Sequence, residues 1–377
     1  MKKLRIAICS CNGHAEKFAG LVNGCDESSV VAVWDNVPGR GEDMANRLGC
    51  AFEGDFDKLL SGYSLDGVVI VAENSLHREM IVKAARSGKH IFVEKPLCVN
   101  LAEAYEIQEV IHRTGVKFYM TDPFVRSGTL YLRKLIQDGT LGRITGARFR
   151  LGNNSALAGG LSHPGSLSQP GSLNHPGSLN HPGSLSYPGS LSHPSYNKNA
   201  VQGGIMADTG GHMLHIAHFL FGKPTSLSAT LCYFTEAAKA NGIEENAVIS
   251  MVYPDDKLVV IECSWVSGSQ TNATEVYGTN GWARVTPLSR VEGDDLVTWK
   301  IGDGPELSAS GGQLPENPKK HIRYWVDMMA YNLANDMVGR DDLSNSGVSI
   351  DNAVEYVEII DAIYKSANKG LYPLTGQ

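Results

Sequence analysis

The chain has 377 residues, 42% hydrophobic and 19% charged, with a formal net charge of −7. That length exceeds one ordinary core, so two domains around a real apolar interior are expected. The acidic balance excludes a general nucleic-acid surface, which needs a basic patch, and directs attention to small-molecule substrates.

After Met1-Lys2-Lys3-Leu4-Arg5 the apolar run 6–8 is too short for an export signal, which needs roughly 7–15 apolar residues. No run of about 18 apolar residues occurs, so no membrane partner is expected. The cysteines at positions 9, 11, 25, 50, 98, 232 and 263 are scattered, as expected of a reduced, cytoplasmic protein. Cys9 and Cys11 lack a second Cys/His pair at finger-like spacing, so no metal is expected.

Residues 4–8 predict a buried strand and 15–22 a helix. Strand 30–34 ends at Asp35, and helix 41–48 follows. Strand 67–71, helix 77–86, strand 90–93, helix 101–112 and strand 116–120 complete the series. Short β-rich runs alternating with amphipathic stretches predict right-handed βαβ crossovers and a parallel sheet over residues 1–121. Ligands of such sheets lie beyond the carboxyl ends of the strands.

Four turns lie there. In Ser10-Cys11-Asn12-Gly13-His14-Ala15, small residues stand where a dinucleotide fold carries G-x-G-x-x-G/A, so the literal fingerprint fails. Asn tolerates left-handed backbone angles, and a pyrophosphate can still rest on the helix that follows. Asp35 ends the second strand, where a carboxylate accepts from a ribose diol and repels a 2′-phosphate, favouring NAD over NADP. The third turn carries Asn74 and His77, and the fourth is Glu94-Lys95-Pro96, whose proline presents Lys95 from a stiff support.

From residue 122 onward the pattern changes. A helix over 128–137 and a strand over 144–151 precede strands that include 247–253, 258–265 and 274–277. Short turns such as Pro254-Asp255-Asp256 predict an open, mainly antiparallel sheet in an α+β domain spanning 122–377. Helix 205–221 places Asp208, His212 and His215 within about 60° of one another on one face. Gly210 and Gly211 within it would let a ligand approach closely. At about 159–197, units such as Ser162-His163-Pro164-Gly165-Ser166-Leu167 repeat with no charged residue, predicting a flexible low-complexity insert.

The stretch Gly88 to Pro96, with Asn74 and His77, resembles the Gfo/Idh/MocA oxidoreductase family. So do Asp138 to Arg143, Gly203-Gly204, Asp208 to His212, Val276 to Gly281 and the final helix around 353–367. The resemblance implies an NAD-binding Rossmann-type domain, then a substrate domain whose sheet carries helices on one face and a homodimer or homotetramer contact on the other. It implies a sugar, cyclitol or related polyol substrate. Lys95, Asp208 and His212 would be catalytic, with Ser10, Asn12, Gly13, His14, Asp35, Asn74, His77, Glu94 and Lys95 on the cofactor. Lys95, Arg126, His212 and His215 would face substrate. A histidine titrating near pH 6.5 suits transfer of a hydroxyl proton, and an ammonium suits charge developing on oxygen. His215 stands where many relatives have Asp, so the substrate's hydroxyl pattern is expected to differ. An NAD-retaining glycoside hydrolase and a non-catalytic sensor of the same fold are the alternatives.

Overall fold

The computed structural model describes residues 3–11, 14–121, 125–153, 156, 203–267, 271–287, 295–315, 321–331 and 348–368. The repeat insert, Asn12, Gly13 and the segment 122–124 lie outside the described residues.

The first unit is β1 (Leu4–Cys9), α1 (Ala15–Asn23), β2 (Ser28–Trp34), α2 (Pro38–Leu48), β3 (Ala51–Glu53), α3 (Phe56–Gly62), β4 (Gly67–Ile70), α4 (Asn74–Arg86), β5 (His90–Val93), α5 (Leu101–Thr114) and β6 (Phe118–Met120). Its strands lie in the order β3-β2-β1-β4-β5-β6, with every neighbouring pair parallel. The buried positions of the central strands are apolar because helices cover both faces. One face packs against α3, α4 and α5, and the other against α1 and α2. The order reverses between β1 and β4, which opens the crevice where ligands bind in such sheets.

The second unit contributes α6 (Ser127–Gln137), β7 (Ile144–Gly152), a π-helical turn (Met206–Gly210), α7 (Gly211–Phe221), β8 (Ser226–Cys232), α8 (Glu236–Asn241), β9 (Asn246–Tyr253), β10 (Lys257–Ser264), β11 (Thr271–Gly278), β12 (Gly281–Pro287), β13 (Asp295–Ile301) and β14 (Glu306–Ser310). The sheet order is β14-β13-β12-β11-β7-β10-β9-β8, antiparallel except for the β7/β10 pair. Period-two burial along β9 and β10 turns Ile249, Met251, Val259 and Ile261 toward α6 and α7. Val248, Val252 and Leu258 remain exposed on the other face, the one from which a subunit contact is expected. The α/β then α+β architecture read from the sequence is the one observed.

The chain ends in α9 (His321–Ala330) and α10 (Ile350–Ala367), and both return to the first unit. Trp325 of α9 is fully buried, edge-on to Phe92 of β5 and over Gly67, where a Cβ would meet it at 2.9 Å. Val348 pairs with Met120 at the sheet edge, and α10 packs on both α5 and β8. α10 thus bridges the two sheets. Among the described residues, no helix is long and apolar enough to cross a membrane.

Candidate active site

The β1–α1 turn begins at Ser10, which adopts φ 74°, the left-handed region a fingerprint glycine would supply. Its backbone N–H donates to the Trp34 carbonyl at 2.7 Å, which fixes this geometry. Its hydroxyl is buried and has no hydrogen-bond partner among the described residues. α1 also has no side-chain cap, unlike α3 and α5, which use Asp55 and Asn100. An orphaned hydroxyl beside an uncapped helix N-terminus fits a dinucleotide pyrophosphate. Both the left-handed angle and the orphaned hydroxyl cost free energy in the ligand-free chain. Ser10→Gly should therefore stabilise the ligand-free protein by about 1–2 kcal/mol. Unchanged thermal and urea midpoints would sink that account.

Asp35 differs from the expectation. It is fully buried, and its carboxylate accepts from four donors: the Cys11 N–H at 2.7 Å, the Val37 N–H at 2.7 Å, and Arg40 Nε and a terminal guanidinium nitrogen at 2.9 and 2.8 Å. No acceptor site remains for a ribose hydroxyl. Burial pushes the carboxyl up, but Arg40 and the two backbone donors outweigh it and hold the pKa below its ordinary value. Asp35 instead braces the β1 turn and tethers Arg40.

Asn74 opens α4 just beyond β4, at the crevice. His77 is fully buried beneath the adjoining turn rather than in the crevice. Its Nδ1 lies 2.8 Å from the Pro96 carbonyl and its Nε2 3.0 Å from the Ala72 carbonyl. Burial lowers its pKa, and its contacts pin the Glu94-Lys95-Pro96 turn, whose Lys95–Pro96 bond is cis. Glu94 folds back over that turn, accepting the Lys95 N–H at 2.7 Å and meeting His14 Nδ1 at 2.6 Å. His14, at the head of α1, and Glu94, after β5, thus span the crevice.

Lys95 reaches across to the second unit. Its ammonium donates to Asp208 Oδ1 at 2.7 Å and approaches the Asp208 carbonyl at 3.4 Å. Asp208 lies in the π-helical turn, a feature that regular 3.6-residue spacing does not anticipate and that recurs at functional sites. Thr209 donates to its second oxygen at 3.4 Å and accepts from Trp265 Nε1 at 3.0 Å. His212 follows in α7, mostly buried, close enough to Asp208 for their charges to interact. Burial raises the Asp208 pKa, but Lys95 and then His212 outweigh it, leaving the carboxyl below its ordinary 3.8.

Half of the Asp208 side chain remains exposed, so solvent screens the pair. A depressed folded pKa gives stability that is present above the ordinary value and lost as pH falls through the folded one. The melting-temperature gap between the wild type and Asp208→Asn should therefore be widest near neutrality and close below pH 3.8. A gap independent of pH would refute the ion pair.

His215 and Arg126 each meet a partner outside the Lys95–Asp208 pair. His215, one turn beyond His212 in α7, is buried against Tyr356 of α10, with ring centroids 5.5 Å apart. Arg126, ahead of α6, lies 3.8 Å from the buried Asp295 carboxylate, which also accepts the Gly128 N–H at 3.0 Å. Gly210 faces the sheet, where a Cβ would sit 2.5 Å from Met206 Sδ, whereas Gly211 borders open space. Arg40, Thr209 and Trp265 were not anticipated, since each acts through partners distant in sequence or through an unforeseen turn.

Residues 4–122 match the profile described as "Oxidoreductase family, NAD-binding Rossmann fold", and residues 181–284 match the "GFO/IDH/MocA C-terminal domain". The chain is 32% identical over 131 residues to 2,7-anhydro-N-acetylneuraminate hydratase of Escherichia coli (strain K12), covering 34% of each chain. It is 40% identical over 104 residues to scyllo-inositol 2-dehydrogenase (NAD(+)) of Bacillus subtilis (strain 168), covering 27% of this chain and 30% of that one. The matches thus span about a third of the length of these curated relatives. Aldose-aldose oxidoreductase from Caulobacter crescentus, solved with glycerol, superposes with a TM-score of 0.77 at 19% identity, covering 98% of this chain and 99% of that one.

Proposed function

Because the chain belongs to the Gfo/Idh/MocA oxidoreductase family, whose first domain is an NAD-binding Rossmann fold, we propose an NAD-dependent dehydrogenase or reductase acting on a CH–OH carbon of a sugar, cyclitol or related polyol. The observation that carries this reading is the Lys95–Asp208 pair, which joins a cation beside the cofactor crevice to the helix bearing His212. Bound NAD would accept or supply the hydride. His212 takes the hydroxyl proton during oxidation and returns it during reduction. The Lys95 ammonium stabilises charge developing on the reacting oxygen, and Asp208 orients that ammonium and electrostatically supports His212 when it is protonated. The likeness of its first domain to inositol dehydrogenases supports the substrate class.

The test is mass and absorbance analysis of the purified protein for NAD(H), followed by a sugar and polyol panel with NAD. Formation of NADH with a ketone or lactone product is expected. Product analysis belongs in the assay because one relative is named a hydratase. Conversion without net NADH would refute net oxidation and favour a redox-neutral reaction.

A further inference from the structure

We infer that Glu244 and Tyr364 form a clasp that sets the register of the π-helical turn, making Glu244 a positioning residue for Lys95, Asp208 and His212. This inference rests on the proposed function for its kinetic consequence, but not for its structural one.

Neither the π-helical turn nor α7 has a side-chain cap of its own. The N–H groups at the start of that segment need partners from elsewhere. Glu244, just ahead of β9, supplies them. Its Oε2 accepts the Gly204 N–H at 3.0 Å, its Oε1 the Met206 N–H at 3.0 Å, and its backbone carbonyl the Ile205 N–H at 2.9 Å. One residue therefore takes three successive backbone donors. Glu244 is almost completely buried, and the Tyr364 hydroxyl of α10 donates to its Oε1 at 2.7 Å.

The paired glycines complete the arrangement. A Cβ on Gly203 would come within 1.8 Å of the Tyr364 hydroxyl, and one on Gly204 within 2.2 Å of the Glu244 carbonyl oxygen. Side chains at these positions would force the clasp open. A carboxylate at the start of a helix also meets the positive end of its dipole. Two residues beyond the last clasped N–H lies Asp208, whose own N–H donates to the Gly204 carbonyl at 3.1 Å. A shift at Gly204 is thus carried directly to the carboxylate that holds Lys95. Misplacement of a catalytic group by about 1 Å costs on the order of 10²-fold in rate.

The experiment compares full-length wild type with Glu244→Ala, Glu244→Gln and Tyr364→Phe. The rate of Lys95 acetylation by acetic anhydride, read by peptide mass spectrometry against other lysines, reports the Lys95–Asp208 contact without a substrate. Hydrogen exchange over 204–212 reports the turn. For Glu244→Ala, both rates should rise by about tenfold or more, and kcat on a substrate from the panel should fall by about 10²-fold. NADH affinity should change less than about twofold, because the first sheet is untouched.

Glu244→Gln keeps an acceptor of the same length and should restore most of both protections. Tyr364→Phe removes one hydrogen bond and should give about three- to tenfold effects even if Glu244→Ala does not fold. Wild-type acetylation and exchange in a folded Glu244→Ala or Tyr364→Phe would overturn the clasp. A loosened turn with undiminished kcat would overturn its positioning role. If the wild type turns over nothing on the panel, that outcome counts against the proposed function, while acetylation and exchange still decide the clasp.

Discussion

His212→Ala should lower kcat by about 10²–10⁴-fold, the range lost when a positioned proton-transfer group is removed. Its imidazole sits in α7 of the second unit, beyond the π-helical turn, and not on the nucleotide-binding sheet. NADH affinity should therefore remain near that of the wild type. Lys95→Ala should cause a loss of similar size by a different route. It removes the cation that stabilises oxygen charge and leaves the Asp208 carboxylate without its 2.7 Å partner. The two effects should fall well short of additivity in the double variant, because the residues act on one reacting group. Steady-state kinetics with fluorescence titration of NADH check all four statements. Turnover within threefold of wild type in either single variant would remove that residue from the chemistry.

Asp35→Ala should reduce folding stability by about 2–3 kcal/mol, because it strands two backbone N–H groups and a guanidinium. The upper part of the range for breaking a buried pair does not apply, since the Arg40 side chain is one-third exposed and water can reach it. The same substitution should shift cofactor preference from NAD toward NADP. In the wild type both Asp35 oxygens are bonded to Arg40, which neutralises that cation. Once released, Arg40 can meet the phosphate at the end of β2, a position where arginine serves that purpose in such folds. Urea melts and paired titrations with NADH and NADPH read the two effects. An NADPH/NADH affinity ratio equal to that of the wild type would refute the tether.

The alternation of strand and helix through residue 120 was legible because both faces of a parallel sheet are covered, so its longer strands carry short apolar runs such as Val30 to Trp34 and Ile91 to Val93. β3 and α3 escaped that reading because a three-residue edge strand has no periodicity to detect. β12 to β14 went unread for a related reason. Few of their positions are buried, chiefly Ala283, Val285, Val297 and Ala309, so the apolar alternation is short in each strand. Lys95 and Asp208 were legible as residues, one by its proline-bounded turn at a strand end and the other by its spacing from His212.

What the sequence determined by itself was therefore local: the order of elements, the turns at the strand ends, and the residue types able to move a proton or hold a charge. Partnership was decided by the tertiary structure. Asp35 turned inward to Arg40 because Arg40 and two backbone donors converge there. His77 was consumed by two carbonyls. His215 packed against Tyr356, and Glu244 and Tyr364 came together across 120 residues. A buried polar group takes whichever partner the packed chain brings to it, and that choice depends on distances in space that residue spacing does not contain.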